Sequence, residues 1–338
     1  MTHRSNFSSH SNSVEIVCAG IIVVDAVGVN VSHIPNEGGL ALFEKAELHL
    51  GGCAANTALA LSKLGVAPAL IARIGTDGFG DFCVKELARH RVESSGLRRS
   101  AGFSTSFSFI MIPPSGNRRI FHTLAANASL TAQDIGMAIV KKAKWLCVGG
   151  LGVMPGITGK ELATVLKKAQ KAGVRTAADT AINDSYKQKD WEQLLGPCYR
   201  YLDVFFPSEH EARAITGKTE PKLICEFFQA RGVKIAGVKL GERGNAVISE
   251  KKFHHTPAYK VKCVDTLGAG DCFMAGLLTG LLRGYAPEHA AQLGNAVSAH
   301  CVQAVGATAG VRPLSAILTF QKGCNDQGAV KKTKKAMT

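Results

Sequence analysis

The chain has 338 residues, of which 46% are hydrophobic and 20% are charged, and its formal net charge is +14. This length suffices for one large or two ordinary domains with a buried core, and no apolar run approaches the ~20 residues that a membrane-spanning helix needs. The ten cysteines include no Cys-x-x-Cys pair, which argues against a zinc site or a disulfide framework and favours free thiols in a reducing cytoplasm.

Residues 1–13 are rich in Ser, His and Asn and lack an apolar stretch, which predicts a disordered leader rather than a secretory signal. Beyond them, apolar runs alternate with helical patterns. Strands are predicted at Glu15–Val24, Ala67–Ile74, Trp145–Val148, Arg175–Ala178, Val204–Phe206 and Val233–Val238, and helices at Ala54–Leu64, Phe79–Arg89, Ile157–Ala172, Ser208–Ile215 and Pro287–Val302. This alternation is typical of a mostly parallel sheet that is covered by helices on both faces.

Two segments, about 27–50 and 104–123, interrupt the alternation. Both alternate apolar and polar residues without helical spacing, and the stretch from Pro113 to Asn117 predicts a turn between two strands of a hairpin. We interpret these segments as a small β-layer separate from the main sheet. An additional antiparallel edge of the main sheet would give the same pattern.

Near the C-terminus, Gly268-Ala269-Gly270-Asp271 directly precedes an apolar helical stretch. The start of a helix exposes unpaired N–H groups and the positive end of the helix dipole, so it binds anions. The small residues let the backbone approach an anion closely, and Asp271 lies where a general base for a hydroxyl nucleophile is needed. These residues predict phosphoryl transfer to an alcohol, although an N-cap Asp after a glycine turn has the same local sequence.

Residues 321–338 form a basic end that contains five lysines (Lys322, Lys331, Lys332, Lys334 and Lys335) and one acid, Asp326. We interpret this segment as a solvated, disordered tail. The remaining positive charge suits an enzyme that attracts nucleotides and phosphates. Since no nucleic-acid-binding signature accompanies the charge, no nucleic-acid partner is expected.

Two motifs resemble the signatures of the PfkB carbohydrate kinases, the ribokinase-like family. The stretch from Asp265 to Gly276 resembles the C-terminal signature, Asp-Thr-x-Gly-Ala-Gly-Asp-x-Phe-x-Ala-Gly, and the stretch from Gly51 to Ala58 resembles the N-terminal signature, Gly-Gly-x-x-x-Asn-x-Ala. The resemblance extends from about Ile16 to about Pro313. It implies a three-layer α/β/α ribokinase-like domain over residues 14–320, with a mostly parallel central sheet and a small β-sheet lid over the sugar site.

The resemblance also implies an ATP-dependent, cytoplasmic sugar kinase that phosphorylates a hydroxyl group, expected to be primary, and that pairs as a homodimer through the lid. Asp271 would be the general base, and the N–H groups of Gly268, Ala269 and Gly270 would hold the transferring phosphoryl group. No membrane partner is implied. The rival interpretations are a nucleoside kinase on the same fold and a catalytically silent sugar-binding regulator.

On the substrate side, Asp25, Gly51, Gly52 and Asn56 match the sugar-binding residues of the family. Two departures concern this side: Val23 replaces an Asn that contacts ribose in ribokinase, and Cys53 replaces a Lys. The substrate is therefore not expected to be ribose bound as in ribokinase, and the sequence does not identify the sugar.

On the nucleotide side, Lys239, Gly241 and Gly244 resemble the phosphate loop Thr-x-Gly-x-x-Gly of the family, with Lys in place of Thr. A plain turn between two strands would have the same spacing. Asn295 falls where the family lines the adenine pocket, but it is equally compatible with a structural amide.

The resemblance further implies two cation functions. Glu211 matches the Glu of an Asn-x-x-Glu motif that helps to organise Mg²⁺ and the phosphates, with Ser208 in place of the Asn. Asp265, with backbone carbonyls around residues 302–306, matches a site for a monovalent cation such as K⁺, although an ordinary helix end would look the same. Arg118 and Arg119, on the lid hairpin, are either solvated edge charges or a clamp for an acidic substrate.

Overall fold

The computed structural model describes residues 13–115, 118–181 and 185–324. The predicted leader up to residue 12, the turn residues Gly116 and Asn117, and the basic end beyond residue 324 lie outside the described residues. The stretch 321–324, which we assigned to the tail, instead continues a helix over residues 314–324.

The described residues form thirteen strands in two separate sheets. The strands are β1 (Ile16–Gly20), β2 (Val23–Val29), β3 (Lys45–Gly51), β4 (Pro68–Ile74), β5 (Glu93–Arg99), β6 (Phe107–Ile112), β7 (Arg119–Thr123), β8 (Trp145–Leu151), β9 (Arg175–Thr180), β10 (Val204–Phe205), β11 (Ile235–Lys239), β12 (Asn245–Ser249) and β13 (Lys252–Thr256). The main sheet has the order β13-β12-β11-β10-β9-β8-β1-β4-β5. It is parallel from β5 to β11, and β12 and β13 extend it in antiparallel fashion.

Helices cover both faces of the main sheet. They are α1 (Cys53–Lys63), α2 (Gly78–Arg89), α3 (Met137–Val140), α4 (Gly159–Lys171), α5 (Gln188–Leu195), α6 (Glu209–Thr216), α7 (Pro221–Ala230), α8 (Ala269–Leu282) and α9 (Pro287–Cys301). Side chains of α1, α8 and α9 share one hydrophobic core, and side chains of α4 to α7 share the other. The predicted three-layer arrangement is confirmed. Among the described helices, none has the length and apolar character to cross a membrane.

The sheet strands alternate between the two cores, as the pleat of a strand requires. In β1, Ile16 and Cys18 belong to the core beneath α1 and α8, whereas Val17 and Ala19 belong to the opposite core. A strand buried on both faces is a continuous apolar run, which is why β1 could be recognised in the sequence.

The second sheet has four strands in the order β3-β2-β6-β7. Strand β2 pairs in antiparallel fashion with β3 and in parallel fashion with β6. The prediction of a separate β-layer is therefore confirmed, and the interpretation as an additional edge of the main sheet is wrong. We call this four-stranded sheet the lid.

The predicted strand Glu15–Val24 is in fact two strands that belong to different sheets. Strand β1 ends at Gly20, where a Cβ atom would lie 2.0 Å from the carbonyl oxygen of Gly149, and β2 starts in the lid at Val23. The side chain of Asn127 fixes the crossing point, because it accepts from Ile22 N at 3.3 Å and donates to Ile22 O at 2.9 Å.

Candidate active site

The start of α8 presents unpaired backbone donors. Gly268 has φ 73°, and a Cβ atom there would lie 2.3 Å from the carbonyl oxygen of Ala307, so the tight turn before the helix requires glycine. The N–H groups of Gly268, Gly270 and Asp271 donate to no other described atom, while Ala269 N donates to Thr266 O at 3.3 Å. The helix start therefore has free donors for an anion.

Asp271 lies in the first turn of α8, beside these donors. Its Oδ2 accepts a hydrogen bond from Asn56 Nδ2 at 2.8 Å. Burial raises the pKa of the Asp271 carboxyl to about 6, although the hydrogen bond from Asn56, the charge of Lys239 and a hydrogen bond from Cys53 oppose this shift. A carboxylate with this pKa accepts a proton more readily than an exposed Asp and is still ionised at neutral pH.

Asn56 connects Asp271 to the predicted sugar side. It lies in α1, and its Oδ1 atom is buried without a hydrogen-bond partner among the described residues. A buried amide oxygen without a donor is costly. The side chain is therefore half satisfied, with one end holding Asp271 and the other available to a hydroxyl donor.

Asp25 of β2 and Gly51 of β3 are diagonal neighbours, because Asp25 pairs with His49 and Gly51 pairs with Val23. A Cβ atom on Gly51 would lie 2.0 Å from Asp25 Oδ2, so only glycine leaves room for this carboxylate. Gly52, with φ 94°, then begins α1. Burial raises the pKa of Asp25, and a hydrogen bond from Ser108 opposes the shift.

Between the lid and the segments that precede α8 and follow α9 lies a cavity whose lining includes Asp25, His49, Ile110, Arg118 and Asp265. Its volume of about 10 Å³ accommodates little more than one water molecule. His49 and Ile110 are not among the site residues predicted from the sequence. The strand pattern offered a signal for His49, since it lies two residues before Gly51 and so shares its face of β3.

Arg118 joins the lid to the loop before α8. Its Nη1 donates to Asp265 Oδ1 at 2.6 Å, and its Nη2 lies 3.4 Å from Thr266 Oγ1. The Asp265 carboxylate also accepts from Leu267 N at 2.9 Å and from Gly306 N at 3.1 Å. Arg118 is therefore an ion-pair partner of Asp265 and not a solvated edge charge.

The predicted phosphate loop lies between β11 and β12. Gly241 has φ 60° and open space around its Cα, and Gly244 has φ 89°, where a Cβ atom would lie 2.0 Å from Thr256 O. Asn295 Nδ2 donates to Thr256 O at 3.2 Å and to Pro257 O at 3.1 Å. This amide thus ties α9 to the backbone beside Gly244, as the structural alternative expected, and its contact with adenine stays a prediction.

Lys239 does not point from this loop toward solvent. Its Nζ lies 2.5 Å from Asp179 Oδ2 and 3.1 Å from the place that a Cβ on Gly270 would occupy. In the sequence, Lys239 belongs with the nucleotide loop, and no motif assigns a function to Asp179. The structure places both at the start of α8.

Glu211 and Ser208 form the N-terminal cap of α6. Glu211 Oε2 accepts from Ser208 N at 2.8 Å and from Thr180 Oγ1 at 2.9 Å. Among the residues that the structure describes, no group of three or more His, Cys, Asp or Glu side chains could hold a metal ion.

Comparison with known proteins agrees with this architecture. The model of the pfkB family carbohydrate kinases matches residues 14–313. A fructokinase of Escherichia coli is 29% identical over 236 residues, which are 68% of this chain and 76% of that protein. The ribokinase of Thermotoga maritima superposes with a TM-score of 0.77 at 25% identity. The match covers 91% of this chain and 99% of that ribokinase. The ribokinase of Arabidopsis thaliana, solved with ribose and ATP, superposes with a TM-score of 0.79 at 24% identity. The match covers 91% of this chain and 98% of that ribokinase.

Proposed function

The chain belongs to the pfkB family of carbohydrate kinases, and we propose that it transfers the γ-phosphate of ATP to a hydroxyl group, expected to be primary, of a small carbohydrate with Asp271 as general base. The observation that carries this proposal is the start of α8. There, a carboxylate whose pKa is raised to about 6 adjoins backbone N–H groups without partners among the described residues.

In the proposed reaction, Asp271 takes the proton of the attacking hydroxyl group. The N–H groups of Gly268, Ala269 and Gly270 stabilise the charge on the transferring phosphoryl group, and Ala269 gives up its weak turn hydrogen bond to do so. In phosphoryl transfer, positioning and charge stabilisation contribute most of the catalysis. Mg²⁺ would bridge and neutralise the ATP phosphates.

The sugar would bind between the lid and α1. The carboxylate of Asp25 would accept from sugar hydroxyls, and the Oδ1 of Asn56, which has no partner among the described residues, supports a further hydrogen bond. Gly51 leaves room for the Asp25 carboxylate and Gly52 for the backbone of Ile21, and we expect both glycines to border the sugar. We expect the lid to open to admit a sugar and then to close, because water has to be kept from the phosphoryl group.

The nucleotide phosphates would bind near the loop from Gly241 to Gly244, with Asn295 supporting the backbone of the adenine side. Glu211 would help to order Mg²⁺ through the phosphates, and K⁺ dependence through Asp265 stays a prediction. Rates measured in potassium, sodium and tetramethylammonium salts of equal ionic strength test it.

We further propose a homodimer through the lid, because large apolar side chains are exposed on its edge strands, Leu48 at 50% and Phe121 at 55%, and on the loop between β2 and β3, Leu40 at 81% and Leu42 at 84%. Exposed apolar surface of this kind favours a protein contact. Light scattering after size-exclusion chromatography measures the mass, and a single-chain mass at micromolar concentration would contradict the dimer.

A coupled assay of ADP release over ribose, fructose, ketodeoxygluconate, inositol and nucleosides tests the function. We expect ADP release that depends on one carbohydrate and that is lost in Asp271→Asn. A preference for nucleosides would favour the nucleoside kinase. Sugar binding without ADP release would favour the silent regulator and contradict the proposal.

A further inference from the structure

A largely buried ion pair lies beside α8 and has no part in the reaction described so far. The side chains of Lys239 and Asp179 are 13% and 5% exposed, and Nζ lies 2.5 Å from Oδ2. Taking two charges out of water is expensive, and replacing such a pair with apolar residues is often neutral or stabilising. Stability therefore gives little reason for a charged pair here, and a functional reason is worth testing.

The pair is built by parallel strands of the main sheet. Lys239 ends β11 and Asp179 lies one residue before the end of β9, so both side chains emerge at the carboxyl edge of the sheet. At this edge, Nζ faces the first turn of α8, 3.1 Å from the position of a Cβ on Gly270. The ammonium thus lies beside the helix start that presents the unpaired N–H groups.

The ammonium faces carboxylates from three elements: Asp179 on β9, Glu211 on α6 and Asp271 on α8. Burial by itself lowers the pKa of Lys239, but these three carboxylates raise it above its ordinary value, so the side chain stays charged. The positive charge of Lys239 in turn lowers the pKa of Asp271 and so favours the ionised form of the proposed base.

We propose that Lys239 contacts the transferring phosphoryl group and that Asp179 is a positioning residue that holds the Lys239 ammonium at the start of α8. This inference rests on the proposed function. During transfer, the bond between the γ-phosphorus and the bridging oxygen of ADP breaks and a bond to the sugar oxygen forms, while the hydroxyl proton passes to Asp271. Negative charge on the transferring oxygens meets the ammonium, which itself exchanges no proton.

The test compares kcat, KM for ATP and KM for the carbohydrate of highest rate in four variants: Lys239→Met, Asp179→Asn, the double variant, and Lys234→Met as control. Lys239→Met should lower kcat by roughly 10²- to 10³-fold with KM for ATP nearly unchanged. Asp179→Asn should lower kcat less. The double variant should be no slower than Lys239→Met, because Asp179 acts only through the lysine.

Lys234 provides the matched control because it stands just before the opposite end of β11 and pairs with Asp203 at 2.6 Å. Its loss should leave kcat at the parental value. The pH profile adds a readout that a structural function would not change. In Lys239→Met, the acidic limb of kcat should move to higher pH, because Asp271 has lost a nearby positive charge.

Circular dichroism and thermal melting show whether each variant folds. If Asp179→Asn does not fold, Lys239→Met remains informative, because burial raises the pKa of the Asp179 carboxyl to about 7 even though Lys239 opposes the shift. Without Lys239 that pKa rises further, so the carboxyl can take up a proton. A folded Lys239→Met with parental kcat, or with only a higher KM for ATP, overturns the inference, as do multiplicative losses in the double variant. A parental protein without phosphoryl transfer overturns the proposed function, and this inference with it.

Discussion

Replacing Gly51 with Ala adds one methyl group and tests whether Asp25 binds the sugar. The added methyl group would stand 2.0 Å from Asp25 Oδ2 and 2.8 Å from its Cγ. Such contacts cannot persist, so the carboxylate has to turn away. The backbone of Gly51 does not lie in the left-handed region, and alanine can therefore adopt it without strain. The substitution acts on the position of Asp25.

The expected loss follows from the hydrogen bonds that a displaced Asp25 no longer makes. A hydrogen bond to a charged group contributes about 1.5–3 kcal/mol. Losing one from the transition state lowers kcat/KM for the sugar by roughly 10- to 150-fold. The KM for ATP should not change, because Gly51 and Asp25 belong to the lid, whereas the predicted nucleotide loop joins β11 and β12 of the main sheet.

The assay is steady-state ADP release with the sugar concentration varied at saturating ATP. Gly78→Ala is the matched control, since a Cβ atom at Gly78 has no neighbour within 4 Å, and its kcat/KM should equal the parental value. If folded Gly51→Ala keeps the parental KM and kcat for the sugar, then Asp25 is not a sugar ligand and the reasoning from the close approach of Gly51 fails.

Asp271→Asn should lower turnover by roughly 10²- to 10⁴-fold with ATP affinity nearly intact by calorimetry, and near-parental turnover would remove Asp271 from the mechanism. In the parental enzyme, kcat/KM should rise with pH through about 6 as Asp271 loses its proton, and an acidic limb near pH 4, measured by buffered rate assays, would contradict this. Hydrogen exchange of residues 27–50 and 107–112, followed by mass spectrometry, should slow when sugar is added, and equal protection in both states would mean a fixed lid. Burial raises the pKa of Asp134, but hydrogen bonds from Arg73 and Thr131 hold it below its usual value. The stabilisation of the fold by ionised Asp134 is thus complete above the carboxyl pKa of the unfolded chain, about 3.9, and is lost as pH falls through the lower pKa of the folded state. Asp134→Asn should flatten the acid side of melting temperature against pH, and an unchanged slope would refute this.

The main sheet could be predicted from sequence because its inner strands are buried on both faces and read as apolar runs. The edge strand β5 was missed for the converse reason. It consists of Glu93-Ser94-Ser95-Gly96-Leu97-Arg98-Arg99, and none of these residues is fully buried. Its sequence therefore has no apolar run, and its pairing with β4 depends on the rest of the sheet.

Some residues of the candidate site could likewise be predicted from the sequence, and others could not. Asp271 and Gly51 could be predicted because a glycine turn before a helix is a local feature, written in a few consecutive residues. Two charged pairs could not, since each joins residues far apart in the chain. Lys239 and Asp179 are separated by 60 positions, and Arg118 and Asp265 by 147. No periodicity connects such partners, and only the folded sheet brings them together.

The lid strands and helix α8 belong to different layers, so under the proposed function substrate range and chemistry can diverge separately. Asp25, His49 and Ile110 stand on β2, β3 and β6, whose hydrogen-bonded neighbours are other lid strands. The proposed base, Asp271, stands on α8 and accepts a hydrogen bond from Asn56 of α1. Exchanging residues on the lid strands should therefore change which hydroxyls are recognised while leaving the proposed proton acceptor in place. Libraries for a new acceptor should vary those three strands and keep α1 and α8 constant.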